Sequence, residues 1–150
     1  MLRPSGALLR SQIMLATAID QGAVSQSLHD ATTLDLLIRI QLSDDGLVRA
    51  VDLCDQLQKS PSHVSRVIDG AEAEGLVRRT PDPRDRRAHL VVLTEDGSAV
   101  VQEFVPHLVD VLQQTVFSAL TDSEIETLVD LLDRVALATS DLLAEWIADR

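Results

Sequence analysis

The sequence predicts a mainly α-helical fold with one small β-hairpin. Apolar residues recur at helical spacing along most of the chain, Ser60 and Pro61 form a strong helix start, and a proline-rich charged turn separates two short runs typical of strands. The 150 residues, 45% of them hydrophobic, are sufficient for a single domain with a packed core.

The cysteine content and the hydropathy indicate a protein of the cytoplasm. A single cysteine, Cys54, cannot form a disulfide within the chain, which fits a reducing compartment. No apolar run reaches the roughly 18 residues that a membrane span needs. We therefore expect no contact with a membrane.

The charge is unevenly distributed. The net charge of −11 argues by itself against nucleic acid, because the phosphates of a duplex repel an acidic protein. Residues 59–90, however, hold seven basic against five acidic residues, a net charge of +2, and leave −13 to the rest of the chain. Twelve of the 13 basic residues are arginine, the better side chain for bidentate contacts with phosphates and bases.

Three helices are predicted in the first 58 residues. Apolar residues over 8–28 indicate a first helix that is disturbed at Gly22, and residues 33–42 are apolar almost all round, which is typical of a buried helix. A turn cluster at 43–46 precedes a short helix over 49–58. The core positions expected in this short helix are Val51, Leu53, Cys54 and Leu57.

The next helix has the strongest local signals. Ser60 can serve as N-cap and Pro61 has a backbone angle suited to the first helical position. The helix runs to about Glu74, and Gly75 is placed to end it in a left-handed conformation. Its core face is formed by Val64, Val67, Ile68 and Ala71. Together with the short helix before it, this helix forms a helix-turn-helix candidate.

A β-hairpin is predicted directly afterwards. Residues 76–80 and 88–93 read as two strands around a charged turn at 81–85. Arg78 and Arg79 alternate across the first strand, so at most one of them can face DNA.

Two long helices complete the chain. Thr94 can cap a helix over 96–120, in which Pro106 should produce a kink. Thr121 and Glu124 form a capping box for a last helix that ends at about Ala148.

A helix-turn-helix followed by a two-stranded hairpin is the winged-helix arrangement, and this chain resembles the MarR family of bacterial transcription regulators. The resemblance rests on three motifs in the family's order: Glu74-Gly75-Leu76-Val77-Arg78-Arg79, Asp82-Pro83-Arg84-Asp85-Arg86-Arg87 and Leu93-Thr94-Glu95-Asp96-Gly97. Each motif is weak alone, and their order behind a capped helix makes the resemblance specific.

The resemblance implies one MarR-like domain over residues 1–150. Residues of about 30–95 would form the winged helix-turn-helix reading lobe, and those of about 1–28 and 96–150 long dimerisation helices. It further implies a homodimer that binds a pseudo-palindromic operator in double-stranded DNA and represses transcription until a small-molecule effector releases it. The sequence singles out no effector-binding residues, and we expect neither a cofactor nor enzymatic activity.

Two groups of residues are expected to contact DNA. The first group lies in the N-terminal turns of the capped helix that begins at Pro61, which the resemblance makes the recognition helix: Ser60, Ser62, His63, Ser65 and Arg66. Arg66 is suited to guanine and the serines to phosphates. The second group lies in the wing and comprises Arg84, Arg86 and Arg87, and the family's motif implies that Asp85 orients Arg87. The plainer alternatives are a solvated helix face and a soluble charged turn.

Two other functions remain open from the sequence. A winged helix with this acidic body could bind proteins instead of DNA, and Cys54 could act as a redox-sensing thiol. The apolar neighbours of Cys54 and the carboxylates of Asp52 and Asp55 disfavour a thiolate and favour a core role. The four histidines are scattered, so we expect no metal site.

Overall fold

A computed structural model of the protein describes residues 3–85 and 88–148. They fall into two compact units, divided between Val111 and Leu112. Helices dominate, and a small antiparallel sheet lies in the first unit, so the predicted fold class is confirmed. Among the described residues, no helix is both long and apolar enough to cross a membrane.

The first unit begins with two helices. Helix α1 spans Arg3–Gly22 and is followed by a 3₁₀ turn over Val24–Gln26, so the predicted disturbance at Gly22 is where α1 ends. Helix α2 spans Ala31–Leu42. The carboxylate of Asp30 accepts the backbone N–H groups of Thr32 and Thr33 at 2.8 and 3.1 Å, which satisfies two donors at the start of α2.

The predicted hairpin is part of a three-stranded sheet, whose additional strand was not predicted from the sequence. Strand β1 spans Leu47–Arg49, β2 spans Val77–Pro81 and β3 spans His89–Leu93. Their order in the sheet is β1-β3-β2, with both pairs antiparallel. Because β1 pairs with β3, the wing is joined to the start of the helix-turn-helix.

Helix α3 spans Ala50–Leu57 and differs from the prediction in two respects. It begins after Arg49, the last residue of β1, whose side chain makes no capping hydrogen bond. Val51, expected in the core, is 63% exposed. Leu53 and Leu57 point inward at i and i+4, so Val51 falls on the opposite face of this short helix.

Helix α4 spans Pro61–Ala73 and matches its prediction. The Ser60 hydroxyl accepts the His63 N–H at 3.4 Å, and Gly75 has a φ of 77°, the left-handed conformation expected of it. The α4 residues Val64, Ile68 and Ala71 are buried, and Val67 packs against the same core. That core also takes side chains from α2, α3, β2 and β3.

Helix α5 spans Glu95–Leu112, with the Thr94 hydroxyl accepting the Gly97 N–H at 3.0 Å. Pro106 lies inside it, but the α-helix ends at Leu112 instead of continuing to residue 120, because Gln113–Phe117 form a π-helical turn.

The second unit contains that turn and helix α6, which spans Asp122–Ala148. One half of the predicted capping box is present: the Glu124 carboxylate accepts the N–H of Thr121 at 2.8 Å, and the Thr121 hydroxyl donates to the same carboxylate at 2.8 Å.

Candidate nucleic-acid interface

The N-terminal half of α4 presents a polar face to solvent. Ser62, Ser65 and Arg66 are exposed, and the hydroxyls of Ser60 and Ser62 lie 3.2 Å apart. Arg66 Nε donates to the carbonyl of Ser62 at 3.3 Å, so the guanidinium lies along the helix. His63, predicted to face outward, is half-buried and lines a groove with Asp30 and Thr33. Small donors and one arginine therefore surround the positive end of this helix.

The wing tip is a closed loop between β2 and β3. The Asp82 N–H donates to the Ala88 carbonyl at 3.1 Å, and the Ala88 N–H to the Asp85 carbonyl at 2.9 Å. Arg84 is exposed at this tip. Arg86 and Arg87 lie outside the described residues, and with them the predicted pairing of Asp85 with Arg87.

Asp82 is a buried carboxylate with partners that the sequence did not reveal. Only 3% of its surface is exposed. One oxygen accepts Arg49 Nε at 2.7 Å and Nη2 at 2.5 Å, and the other accepts the Arg84 N–H at 2.8 Å. The backbone N–H of Arg84, followed by the Arg49 guanidinium, lowers the pKa of Asp82, because both stabilise the ionised form.

A second group of ion pairs joins α4 to the wing. Arg79 in β2 binds the carboxylate of Glu72 and lies 2.6 Å from that of Asp69, both in α4. The Arg79 N–H also donates to Glu72 at 2.9 Å, and these bonds lower the pKa of Glu72. Arg78 is exposed. Of the two strand arginines, Arg78 is therefore the one available to a ligand.

Cys54 is a half-buried residue of α3 that packs against the hydrophobic core. The thiol donates to the Ala50 carbonyl at 3.2 Å, and burial together with the charge of Asp55 raises the pKa of Cys54. Both effects disfavour the thiolate that a peroxide sensor requires.

A small pocket shares no lining residue with the polar face of α4. It has a volume of about 160 Å³ and is lined by Ser27, Leu28, His29, Val100, Glu103, Phe104 and His107. His29 Nδ1 also lies 3.1 Å from the carboxylate of Glu74, the residue that ends α4. One side chain of the pocket lining, that of His29, therefore contacts the C-cap residue of α4.

The comparisons with known proteins agree on one family. The family model described as MarR family matches residues 40–88, which contain β1, α3, α4 and β2. The structure of BpsR from Bordetella bronchiseptica is 30% identical, with 91% of this chain and 95% of that chain covered and a TM-score of 0.75. The chain belongs to the MarR family.

Two further relatives support the assignment of this MarR family chain. The transcriptional repressor NicR from Pseudomonas putida is 30% identical over 101 residues, 67% of this chain and 63% of that protein. A mutant of MarR from Escherichia coli, solved with operator DNA, is 26% identical, with 89% and 94% of the two chains covered and a TM-score of 0.74. The expected function, a DNA-binding transcription regulator, is thereby confirmed.

Sequence reasoning missed Arg49, Asp82 and Glu72 as structural partners of the interface. Two signals pointed to Arg49 and Asp82, and none pointed to Glu72. Arg49 occupies a helix start where Ser or Thr is preferred, and Asp82 opens a turn in which an aspartate accepts the N–H two residues on. Neither signal identifies the distant partner.

Proposed function

We propose that α4 reads the major groove of an operator while the wing tip contacts the adjacent minor groove. One observation supports this most: the exposed face of α4 and exposed Arg84 belong to elements that ion pairs join together. Ser60, Ser62 and Ser65 would bind phosphates, and Arg66 and His63 would reach base edges. Arg84, Arg86 and Arg87 would supply the wing's positive charge.

The acidic body makes this binding depend on few contacts. Outside residues 59–90 the chain has a net charge of −13, so the protein approaches DNA against repulsion. Phosphate contacts by the arginines must overcome it. Because each arginine–phosphate contact releases a counterion, binding should weaken as salt rises, with a slope of about −0.9 per contact.

A salt titration with matched variants tests the proposal. The probe is a duplex selected by the protein from a random library, beside an unrelated duplex of equal length. Arg66→Ala should lose about 1 to 3 kcal/mol of affinity and most of its preference for the selected duplex. Arg84→Ala should weaken both duplexes and lower the salt slope by about 0.9. Arg134→Ala, the same charge change on α6, is the control and should bind as the wild type.

Two results would contradict the proposal. If no duplex is enriched by the folded protein, the winged helix serves a protein partner instead. If both variants bind as the control does, α4 and the wing are not the DNA-contacting surface.

The protein would act as a dimer, with residues of about 1–28 and 96–150 forming the dimerisation helices and residues of about 30–95 forming the reading lobe. Exposed apolar side chains on α1 and α6 support this, among them Ile13, Met14, Val129, Leu132 and Val135. Two copies related by a two-fold axis would bind two half-sites about one turn of DNA apart. We place this repressor in the cytoplasm, where its DNA is, and assign it no enzymatic activity.

Release from DNA would begin in the pocket beside His29. Its volume of about 160 Å³ is below the roughly 300 Å³ typical of ligand pockets, so a bound effector must widen it. Widening would move His29, which contacts Glu74 at the end of α4. The first compound to test is 6-hydroxynicotinic acid, which regulates DNA binding by BpsR. If the compound releases the wild type from DNA but not the His29→Ala variant, the result supports this pocket as the effector site. If it releases both proteins equally, the pocket is not the effector site.

A further inference from the structure

The wing tip and the helix-turn-helix share one buried carboxylate, that of Asp82. We propose that Asp82 is a positioning residue that holds Arg84 at a fixed place relative to α3 and α4. The inference rests on the proposed DNA contact of Arg84. It assigns a function to a residue of negative charge within a DNA-binding surface.

The two carboxylate oxygens of Asp82 bind two different segments. Oδ2 accepts both Nε and Nη2 of Arg49, 33 residues earlier in the chain. Oδ1 accepts the backbone N–H of Arg84 at 2.8 Å. Every move of the tip that carries Arg84 away must therefore break a charge-assisted hydrogen bond.

Arg49 provides a fixed anchor for this carboxylate. It is the last residue of β1, paired with Leu90 of β3, and it is also the N-cap of α3. Its backbone thus belongs to the sheet and to the helix-turn-helix at once. The Arg49 guanidinium therefore binds Asp82 from a residue that lies outside the β2–β3 hairpin.

Burial shows that the ion pair is more than a surface contact. Asp82 is 3% exposed, whereas the Arg49 side chain is 40% exposed. Removing the carboxylate would leave Nε of Arg49 without its acceptor and the tip without its anchor. Pairs of this kind are better attested as fixing a geometry than as adding stability.

Two effects of removing the Asp82 carboxylate on DNA affinity have opposite signs. Removing a carboxylate beside DNA lowers repulsion and should tighten binding. If Asp82 positions Arg84, its removal should weaken binding instead. Asp52→Asn is the matched control, because Asp52 is an exposed carboxylate in the first turn of α3.

The test is a double-mutant cycle of Asp82→Asn and Arg84→Ala, measured as affinity for the selected duplex over a range of salt. Asp82→Asn should weaken binding about fivefold or more and lower the salt slope by about 0.9, as losing one phosphate contact does. In the Arg84→Ala background it should cause no further loss. Asp52→Asn should bind as tightly as the wild type or more tightly.

Four results would overturn the inference. Binding by Asp82→Asn that equals or exceeds wild type, with Arg84→Ala weakened, refutes positioning and leaves the proposed function intact. An equal loss in both backgrounds assigns Asp82 a general structural role. An unaffected Arg84→Ala protein refutes the wing contact and the inference together. If Asp82→Asn does not fold, Arg49→Lys replaces it in the same cycle, and additivity there would refute positioning.

Discussion

Arg79 and Arg78 are neighbours in β2 with different roles: Arg79 forms ion pairs within the protein, and the Arg78 side chain is exposed to solvent. Arg79 binds Glu72 and Asp69 of α4, and only 27% of its side chain is exposed. Arg78, one residue earlier, is exposed. Because successive residues of a strand point to opposite faces, one arginine of the pair is oriented toward α4 and the other away from it.

We predict that Arg79→Gln lowers the free energy of unfolding by about 1 kcal/mol, since it removes hydrogen bonds to a charged and half-buried partner. Arg78→Gln should change stability by less than about 0.5 kcal/mol. Urea denaturation of both variants beside the wild type measures the difference. Equal stability of the two variants would show that the contacts of Arg79 contribute nothing net.

The same pair has a pH signature. Because folding lowers the pKa of Glu72, the ion pair contributes stability above the unfolded pKa of 4.5 and loses it as pH falls through the lower native pKa. The stability gap between wild type and Arg79→Gln should therefore be constant from pH 5 to neutrality and shrink below about pH 4.5. A gap that persists in acid would point to packing of the arginine's stem instead.

At the scale of elements, the packing at the start of α5 explains why the motif from Leu93 to Gly97 ends in a glycine. Gly97 is buried in the first turn of α5, where a Cβ would overlap the carbonyl group of Leu76. That carbonyl also accepts the Thr94 N–H at 3.0 Å, so it cannot shift freely. The start of α5 is thus packed directly on the backbone that enters β2.

We predict that Gly97→Ala destabilises the protein by about 1 to 3 kcal/mol, although alanine is the better helix former. Gly70→Ala is the matched control. Gly70 lies within α4 with no atom near its would-be Cβ, so this change should stabilise by about 0.5 to 1 kcal/mol. Thermal unfolding of the two variants distinguishes them by sign, and a stabilised Gly97→Ala protein would contradict the close packing.

The elements that the sequence predicted well are those with local signals. Helix α4, with its serine cap and closing glycine, and α6, with its capping box, follow from residues that lie within four positions of each other. Strand β1 was missed because three residues are too few to show alternation, and each of them pairs with a residue of β3 that lies more than 40 positions later. A separation of 33 residues likewise hid the contact between Arg49 and Asp82. Local chemistry predicts where elements begin and end, whereas contacts between elements depend on tertiary packing.

At the scale of the whole molecule, the single chain leaves an apolar stripe uncovered on α6. Leu132 is 50% exposed, and Val129 and Val135 are exposed to a similar degree on the same side of the helix. Exposed apolar stripes of this kind mark interaction surfaces, and we have proposed that a second copy covers this one. Operator binding through two half-sites would then depend on residues far from any DNA contact.

We predict that Leu132→Glu converts the dimer to a monomer and lowers operator affinity with it, because a buried carboxylate without a partner opposes association. Leu137→Glu is the control: it is the same change at a residue 68% exposed and about 140° further round the helix. Light scattering with gel filtration measures the mass, and circular dichroism checks folding. Should Leu132→Glu unfold, Leu132→Ala must still raise the dimer dissociation constant. A dimer unaffected by either Leu132 variant would place the interface elsewhere.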